Sequence, residues 1–166
     1  MRKALLAAAA LGLLATPALA DPVVIAPASF SPTFQEKLED DLGAREAGVL
    51  QRAVRAALTR NLARQGATPA ASAAVTVETT IVDARNNRPT FEQLGDRPGL
   101  SYMGSISTGG AELTGVIRDA NGRELQRVSH RWYESQLEWA SPDQWGDARR
   151  AIDGFARKVA RAYGAL

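Results

Sequence analysis

The sequence of 166 residues contains no cysteine and a single histidine, His130. Without cysteine the chain has no disulfide to stabilise it, no thiol nucleophile and no thiolate ligand for a metal. Its stability must therefore come from a hydrophobic core. With one imidazole available, a metal site would need carboxylates as its other ligands.

An excess of charge of one sign is also lacking once residues 1–20 are set aside. The whole chain carries 20 Lys and Arg against 18 Asp and Glu, and Arg2 and Lys3 account for the difference. The formal charge of residues 21–166 is therefore near zero. A chain without net charge has no overall field that attracts nucleic acid or anionic lipid, so we expect no nucleic-acid partner.

Residues 1–20 have the layout of a secretory signal peptide. Arg2 and Lys3 precede an apolar run over residues 5–14, and small residues at 18–20 lead to Asp21. A basic start, an apolar centre and a small-residue cleavage site are typical of such peptides. We expect cleavage after Ala20 and a periplasmic or secreted protein. Because the apolar run is short and no cysteine follows it, we expect no stable membrane anchor after cleavage.

Two stretches have the periodicity of amphipathic helices. In residues 45–64, Leu50, Val54, Leu58 and Leu62 recur every four positions, and the arginines lie mostly on the other side. A similar apolar stripe runs from residue 148 to 166, after Ser141-Pro142 as a helix start. One buried and one solvated face are expected for each helix.

Strand patterns fill the rest of the chain. Residues 23–25 are β-branched, and residues 75–82 alternate between two faces. Asn121-Gly122 lies between two β-rich runs, 111–118 and 124–135, which predicts a hairpin. The order of elements predicts an α+β fold: a two-layer sandwich with a mainly antiparallel four- to five-stranded sheet and two amphipathic helices on one face. We expect residues 21–166 to form a single domain.

Residues 84–101 are predicted to be a long, charged loop. Connections of this length are often functional or mobile. The loop is interpreted either as a charged lid over a ligand or as a solvated segment that covers a sheet edge.

His130 is the one residue on which catalysis could depend. It is followed by Arg131 and Trp132 and shares a strand face with Trp132. It is interpreted either as a general base or metal ligand, or as a partly buried histidine of the sheet that hydrogen-bonds to the backbone. No Gly-x-Ser-x-Gly motif and no metal-ligand spacing accompany it, so no catalytic residue, cofactor or metal is predicted.

All three tryptophans fall within residues 132–145. Exposed aromatic rings beside arginines can stack on sugars, bases or peptide rings. The alternative is that they close the core where the last strand meets the last helix. Trp139 is the tryptophan that we most expect to be exposed.

Several short motifs resemble those of small exported proteobacterial envelope proteins of unknown function. They are residues 86–90 (NNRPT), 109–113 (GGAEL), 131–134 (RWYE) and 145–148 (WGDA). The resemblance implies a two-layer domain that serves as an accessory to a larger assembly, and it implies no catalytic residue. Relatives of this kind often carry a lipidation cysteine, which this chain lacks.

We therefore hypothesise an exported, non-catalytic binding or accessory module of the bacterial envelope, whose partner is a protein or another envelope component. The alternatives are a small periplasmic hydrolase or metal-dependent enzyme that uses His130, and a subunit that self-assembles through an edge strand. The predicted contact residues are Arg88, Arg97, His130, Arg131, Trp132 and Trp139.

Overall fold

The computed structural model describes residues 21–166. The predicted signal peptide, with its cleavage site at Ala20, lies outside the described residues. The strands are β1 Asp21–Ile25, β2 Ser29–Phe30, β3 Ala67–Pro69, β4 Val75–Arg85, β5 Gly110–Arg118 and β6 Glu124–Tyr133. The α-helices are α1 Pro32–Lys37, α2 Ala44–Ala63, α3 Phe91–Asp96 and α4 Gly146–Tyr163. A π-helical turn, Leu38–Leu42, follows α1, and a short 3-10 helix, Leu137–Trp139, precedes α4.

The strands form one sheet in the order β3-β1-β4-β5-β6, and β2 pairs with β4 farther along the same side as β1. The two long ladders, β4 with β5 and β5 with β6, are antiparallel. The short strands β1, β2 and β3 pair in parallel, because the connection through α2 returns the chain in the same direction. The sheet is thus mostly antiparallel, as predicted, and β1 pairs in parallel with β4.

Helices α2 and α4 pack on each other and on one face of the sheet. Helix α4 lies on β5 and β6, and α2 lies on β1 and β3. Strand β5 shows this alternation: Ala111, Leu113, Gly115 and Ile117 are buried, whereas Glu112, Thr114 and Val116 are partly exposed on the open face. The buried apolar residues of 21–166 form one connected cluster. Residues 21–166 therefore have a hydrophobic core of their own.

Gly115 allows α4 to approach β5 closely. A Cβ atom at this position would lie 2.7 Å from Cζ of Phe155, whose ring is fully buried. The missing side chain leaves room for that ring against the backbone of the strand, so glycine here serves packing between the layers.

The predicted counts of strands and helices were too low. The sheet has six strands and not four or five, because β2 and β3 are only two and three residues long. Two short helices accompany the two long ones, and α3 lies within the predicted loop 84–101. Thr90 and Gln93 form a capping box that starts α3. Helix α4 begins at Gly146 and not at Pro142, so Ser141 stands before the helix.

Candidate functional site

Two long connections meet at one end of the sheet. Residues 86–109 join β4 to β5, and residues 134–145 join β6 to α4. They meet because Gly110 pairs with Arg85 of β4 and also with Tyr133 of β6. We call these two connections together the loop end.

Asp147, in the first turn of α4, ties the loop end to the helix. Its fully buried carboxylate accepts hydrogen bonds from the Asn87 side chain, from Gly109 N–H at 3.1 Å and from Ser141 N–H at 3.3 Å. Arg150 Nη1 lies 2.9 Å from the same carboxylate and supplies the opposite charge. A buried carboxylate with several donors around it holds its surroundings in one arrangement.

Asn87 is equally buried and connects both segments. Its Oδ1 accepts a hydrogen bond from Asp147 N–H at 3.0 Å, and its Nδ2 donates to Ser107 O at 3.0 Å. Its backbone N–H donates to Gln144 O at 2.7 Å. One asparagine thus joins residues on both sides of the loop end.

Arg88, a predicted contact residue, binds backbone carbonyls of the loop end. Its Nη1 donates to Tyr102 O at 2.7 Å and to Met103 O at 2.9 Å, and its Nε donates to Pro142 O. The guanidinium also lies 5.7 Å from the centroid of the Tyr102 ring. Arg88 therefore positions the two connections relative to each other.

Arg97, also a predicted contact residue, anchors the end of α3. Its Nη2 lies 2.6 Å from Oδ1 of Asp41. Gln93 of α3 donates from Nε2 to both carboxylate oxygens of Asp41 at 3.0 Å. The short helix is thereby held against the turn that precedes α2.

Large apolar side chains are exposed at the loop end. Phe91 is 73% exposed, Met103 77% and Trp139 63%. Tyr102 and Leu137 are exposed as well. We call these five side chains the loop-end surface. Concentrations of exposed apolar side chains mark interaction sites more often than single ones do.

A cavity of about 340 Å³ opens beside this surface, between the start of α2, α3 and the residues before α4. The Arg45 guanidinium at its rim lies 5.5 Å from the centroid of the Phe91 ring. Trp145, which is buried, lines the cavity and donates from Nε1 to Oε2 of buried Glu46 at 2.6 Å. The position of Trp145 agrees with a role in closing the core, while Trp139 is exposed as expected.

His130 lies on the face of β6 that is turned toward the helices. It is paired with Leu113 of β5, and its ring rests against Gly154 of α4. Burial, and then the positive charges of Lys158 and Arg157, lowers the pKa of His130 below its ordinary value of 6.5. The ring is therefore neutral near pH 7. Trp132 shares this face and packs against the core.

Arg131 lies on the opposite, open face of the sheet. Its Nε is 3.7 Å from Oε2 of Glu112, and its guanidinium is 5.6 Å from the centroid of the Tyr133 ring. Arg85 stacks on the same ring at 4.7 Å. Tyr133 donates from its hydroxyl to Oδ2 of Asp83 at 2.8 Å. Burial, together with this hydrogen bond and the negative charge of Asp83, raises the pKa of Tyr133.

The structure thus brings together only part of the predicted contact set. Arg88, Arg97 and Trp139 belong to the loop end, whereas His130 and Trp132 lie under the helices. Arg131 lies on the open face. Sequence reasoning missed Phe91 and Met103, although an apolar side chain inside a polar connection is a detectable signal.

Among residues 21–166, no three His, Asp or Glu side chains are grouped so that they could hold a metal ion. In the same range, no helix has the length and apolar character needed to cross a membrane.

The fold defines the protein as a mixed α/β domain with one open, mostly antiparallel sheet. Residues 15–159 match the family described as Protein of unknown function (DUF3313), and the chain belongs to that family. The expected resemblance to a family of unknown function is confirmed at this level. The curated proteins contain no match to the chain.

Several solved structures align with this chain at low sequence identity. A hypothetical protein from Chlamydia trachomatis aligns with a TM-score of 0.50 and 10% identity, over 88% of this chain and 99% of that one. A PelC variant from Paraburkholderia phytofirmans, described as a dodecamer, aligns with a TM-score of 0.47 and 9% identity, over 86% of this chain and 85% of that one. A minor lipoprotein from Acinetobacter baumannii aligns with a TM-score of 0.41 and 10% identity, over 88% of this chain and 94% of that one. Identities this low show a shared fold and nothing more. Of these three structures, the one from Chlamydia trachomatis alone reaches a TM-score of 0.50, so the comparison of folds rests on it.

Proposed function

We propose that the protein is a non-catalytic binding or accessory module of the bacterial cell envelope, and that it contacts a protein component through the loop-end surface. The observation that carries this proposal is the exposure of Phe91, Met103 and Trp139 on connections that a buried network holds in place. Aromatic and methionine side chains are enriched at protein interfaces. Because their scaffold is already ordered, binding costs less conformational entropy.

The predicted contact residues take different parts in this proposal. Trp139 is a direct contact, and exposed Arg131 is a second contact on the open face. Arg88 and Arg97 act by positioning the loop end, since their guanidinium groups bind carbonyls and Asp41. His130 and Trp132 support the sheet from beneath the helices.

Photo-crosslinking in the host tests the loop-end surface directly. Benzoylphenylalanine is placed at position 91, 103 or 139, and in a control at Leu166, which is 58% exposed but lies outside the loop end. We expect one discrete protein adduct that is common to the three loop-end positions and absent from the control. Adducts of equal yield at Leu166, or none at any position, would count against the proposal.

Alanine variants of the same side chains separate binding from folding. Phe91→Ala and Met103→Ala remove exposed atoms, so the free energy of unfolding should change by less than about 0.5 kcal/mol. Recovery of the crosslinked partner with Trp139 as the probe position should nevertheless fall. Unchanged recovery in the double variant would show that these side chains are not anchors.

The envelope location is part of the proposal and rests on the predicted signal peptide. Protein isolated from periplasmic and culture fractions of the host should begin at Asp21. A chain that is recovered from the cytosol with residues 1–20 intact would contradict export.

A further inference from the structure

The neutral balance of residues 21–166 hides a strong separation of charge between the two layers. Helices α2 and α4, together with Arg64 at the end of α2, carry ten Lys and Arg but only three Asp and Glu. The remainder of residues 21–166 carries eight Lys and Arg against fifteen Asp and Glu. The helical layer is therefore basic, and the rest of the domain is acidic.

Ion pairing leaves the unpaired positive charge of residues 21–166 almost entirely on the helical layer. Outside the helical layer, every Lys and Arg of residues 21–166 except Arg88 forms a salt bridge. Within the helical layer only Arg60 and Arg150 do so. Arg55 and Lys158 donate to carbonyls of Ile25 and Ser129 instead.

Six exposed arginines of the helical layer remain without a carboxylate partner among residues 21–166. They are Arg45, Arg52, Arg64, Arg149, Arg157 and Arg161, and we call them the basic helical face. Arg45 and Arg64 are separated by almost the whole of α2, which corresponds to about 28 Å at 1.5 Å per residue. Arg149 and Arg161 are about 18 Å apart along α4 on the same basis. The positive charge is thus spread over a broad area and does not converge on one pocket.

Except where Arg45 stacks on Phe91, this face lacks the side chains that anchor protein partners. None of the large apolar side chains exposed within residues 21–166 lies on α2 or α4. The groove between the two helices has small residues such as Ala53 and Ala56 among its lining, with Arg60 at its edge. Protein interfaces usually depend on buried aromatic anchors, and single-stranded nucleic acid depends on stacking platforms. A charged bilayer surface requires neither.

We propose that the basic helical face binds reversibly to the surface of an anionic phospholipid bilayer. Guanidinium groups form paired hydrogen bonds with phosphate oxygens and keep their charge at any physiological pH. The attraction acts within a Debye length of about 10 Å at 0.1 M salt, so binding must weaken as salt rises. In this orientation the sheet's open face and the acidic part of the domain point away from the lipid.

Vesicle sedimentation with residues 21–166 tests the proposal. This segment has its own core, and leaving out residues 1–20 removes an apolar run that would bind lipid by itself. The probes are vesicles of phosphatidylglycerol with phosphatidylethanolamine, and vesicles of phosphatidylcholine alone. We expect binding to the anionic vesicles at low salt, loss of binding at about 0.5 M salt, and no binding to phosphatidylcholine.

A pair of charge reversals locates the binding face. Arg52→Glu with Arg161→Glu changes one residue on each helix, and Arg123→Glu with Arg127→Glu makes the same change in net charge on the β5–β6 hairpin. The helical variant should bind anionic vesicles at least about tenfold more weakly than the hairpin variant. Circular dichroism melting verifies that both remain folded.

Three results would overturn the proposal. The first is no binding of the unaltered chain to anionic vesicles at low salt. The second is an equal loss in both variants, which would reflect net charge and not this face. The third is binding to soluble poly-glutamate without binding to vesicles, which would assign the face to an acidic polypeptide. None of these results bears on the loop-end crosslinks.

Discussion

Asn87 and Asp147 are hydrogen-bonded to each other twice, although 60 residues separate them in the chain. The Asn87 amide donates to the Asp147 carboxylate, and Asp147 N–H donates to Asn87 Oδ1 at 3.0 Å. We predict that Asp147→Asn lowers the free energy of unfolding by about 2–4 kcal/mol. The new amide would face Gly109 N–H with its own donor, and Arg150 would lose its partner. Urea unfolding measures the change.

Asp143→Asn is the matched control, because Asp143 is an exposed carboxylate on the same connection and has no salt bridge within the described residues. Its free energy of unfolding should stay within about 0.5 kcal/mol of the original. Equal losses in the two variants would show that the connection is merely sensitive to charge.

The contrast between local and distant interactions explains how much of the fold could be predicted. Short-range patterns in the sequence predict two parts of the fold. A four-residue apolar repeat predicts helix α2, and Asn121-Gly122 predicts the β5–β6 hairpin. Strand β3 is formed because β1 offers it a parallel partner, with Asp21 opposite Ala67. No pattern within residues 67–69 indicates that pairing, so the strand count was too low.

Gly115 provides a second prediction, on packing between the layers. Gly115→Ala should destabilise the protein by about 1–3 kcal/mol, because the new methyl group would overlap the Phe155 ring in a filled core. Thermal or urea unfolding would show the loss. Gly95→Ala is the control, since a Cβ atom at Gly95 has no neighbour within 4 Å. If Gly115→Ala were as stable as Gly95→Ala, the contact would not be a tight one.

The pair of Glu46 and Trp145 provides a third prediction. Trp145→Phe keeps an aromatic ring but removes the indole N–H, which leaves the buried Glu46 carboxylate without that donor. It also removes part of a buried ring system. We expect a loss of about 1–3 kcal/mol in the free energy of unfolding. Glu46→Gln retains an acceptor oxygen and should cost less. In a double-mutant cycle the two losses should not add, and strict additivity would argue against the hydrogen bond.

The candidate site was less predictable than the fold for a related reason. The arginines at 88 and 97 were singled out as charges in a loop, but charge alone does not reveal that Pro142 O and Asp41 would bind them. Exposure of Phe91 depends on α3 being held with this ring outward by Gln93 and its partners. Equal totals of acidic and basic residues likewise concealed the basic helical face, because only the fold places α2 beside α4.

His130 provides a prediction on the pH dependence of stability. Burial beside α4, with Lys158 and Arg157 as the charged neighbours, lowers the pKa of this ring below 6.5 in the folded chain. The unfolded chain therefore binds the proton first as the pH falls. This contribution to stability is complete above about pH 6.5, decreases as the pH falls through 6.5, and levels off below the folded-state pKa. Urea unfolding over a pH series should show that decrease, and His130→Gln should remove it.

The direction of the pKa shift can be measured separately. Because the chain has one histidine, the titration of its ring protons by NMR requires no assignment, and the midpoint should lie below 6.5. Lys158→Met removes one of the two nearby positive charges, so the midpoint should move up toward the ordinary value. This variant also loses the hydrogen bond to Ser129 O, which lowers stability at all pH values but leaves the direction of the titration shift unaffected. A midpoint at or above 6.5 in the unaltered chain would mean that the His130 ring is solvated and not packed against Gly154.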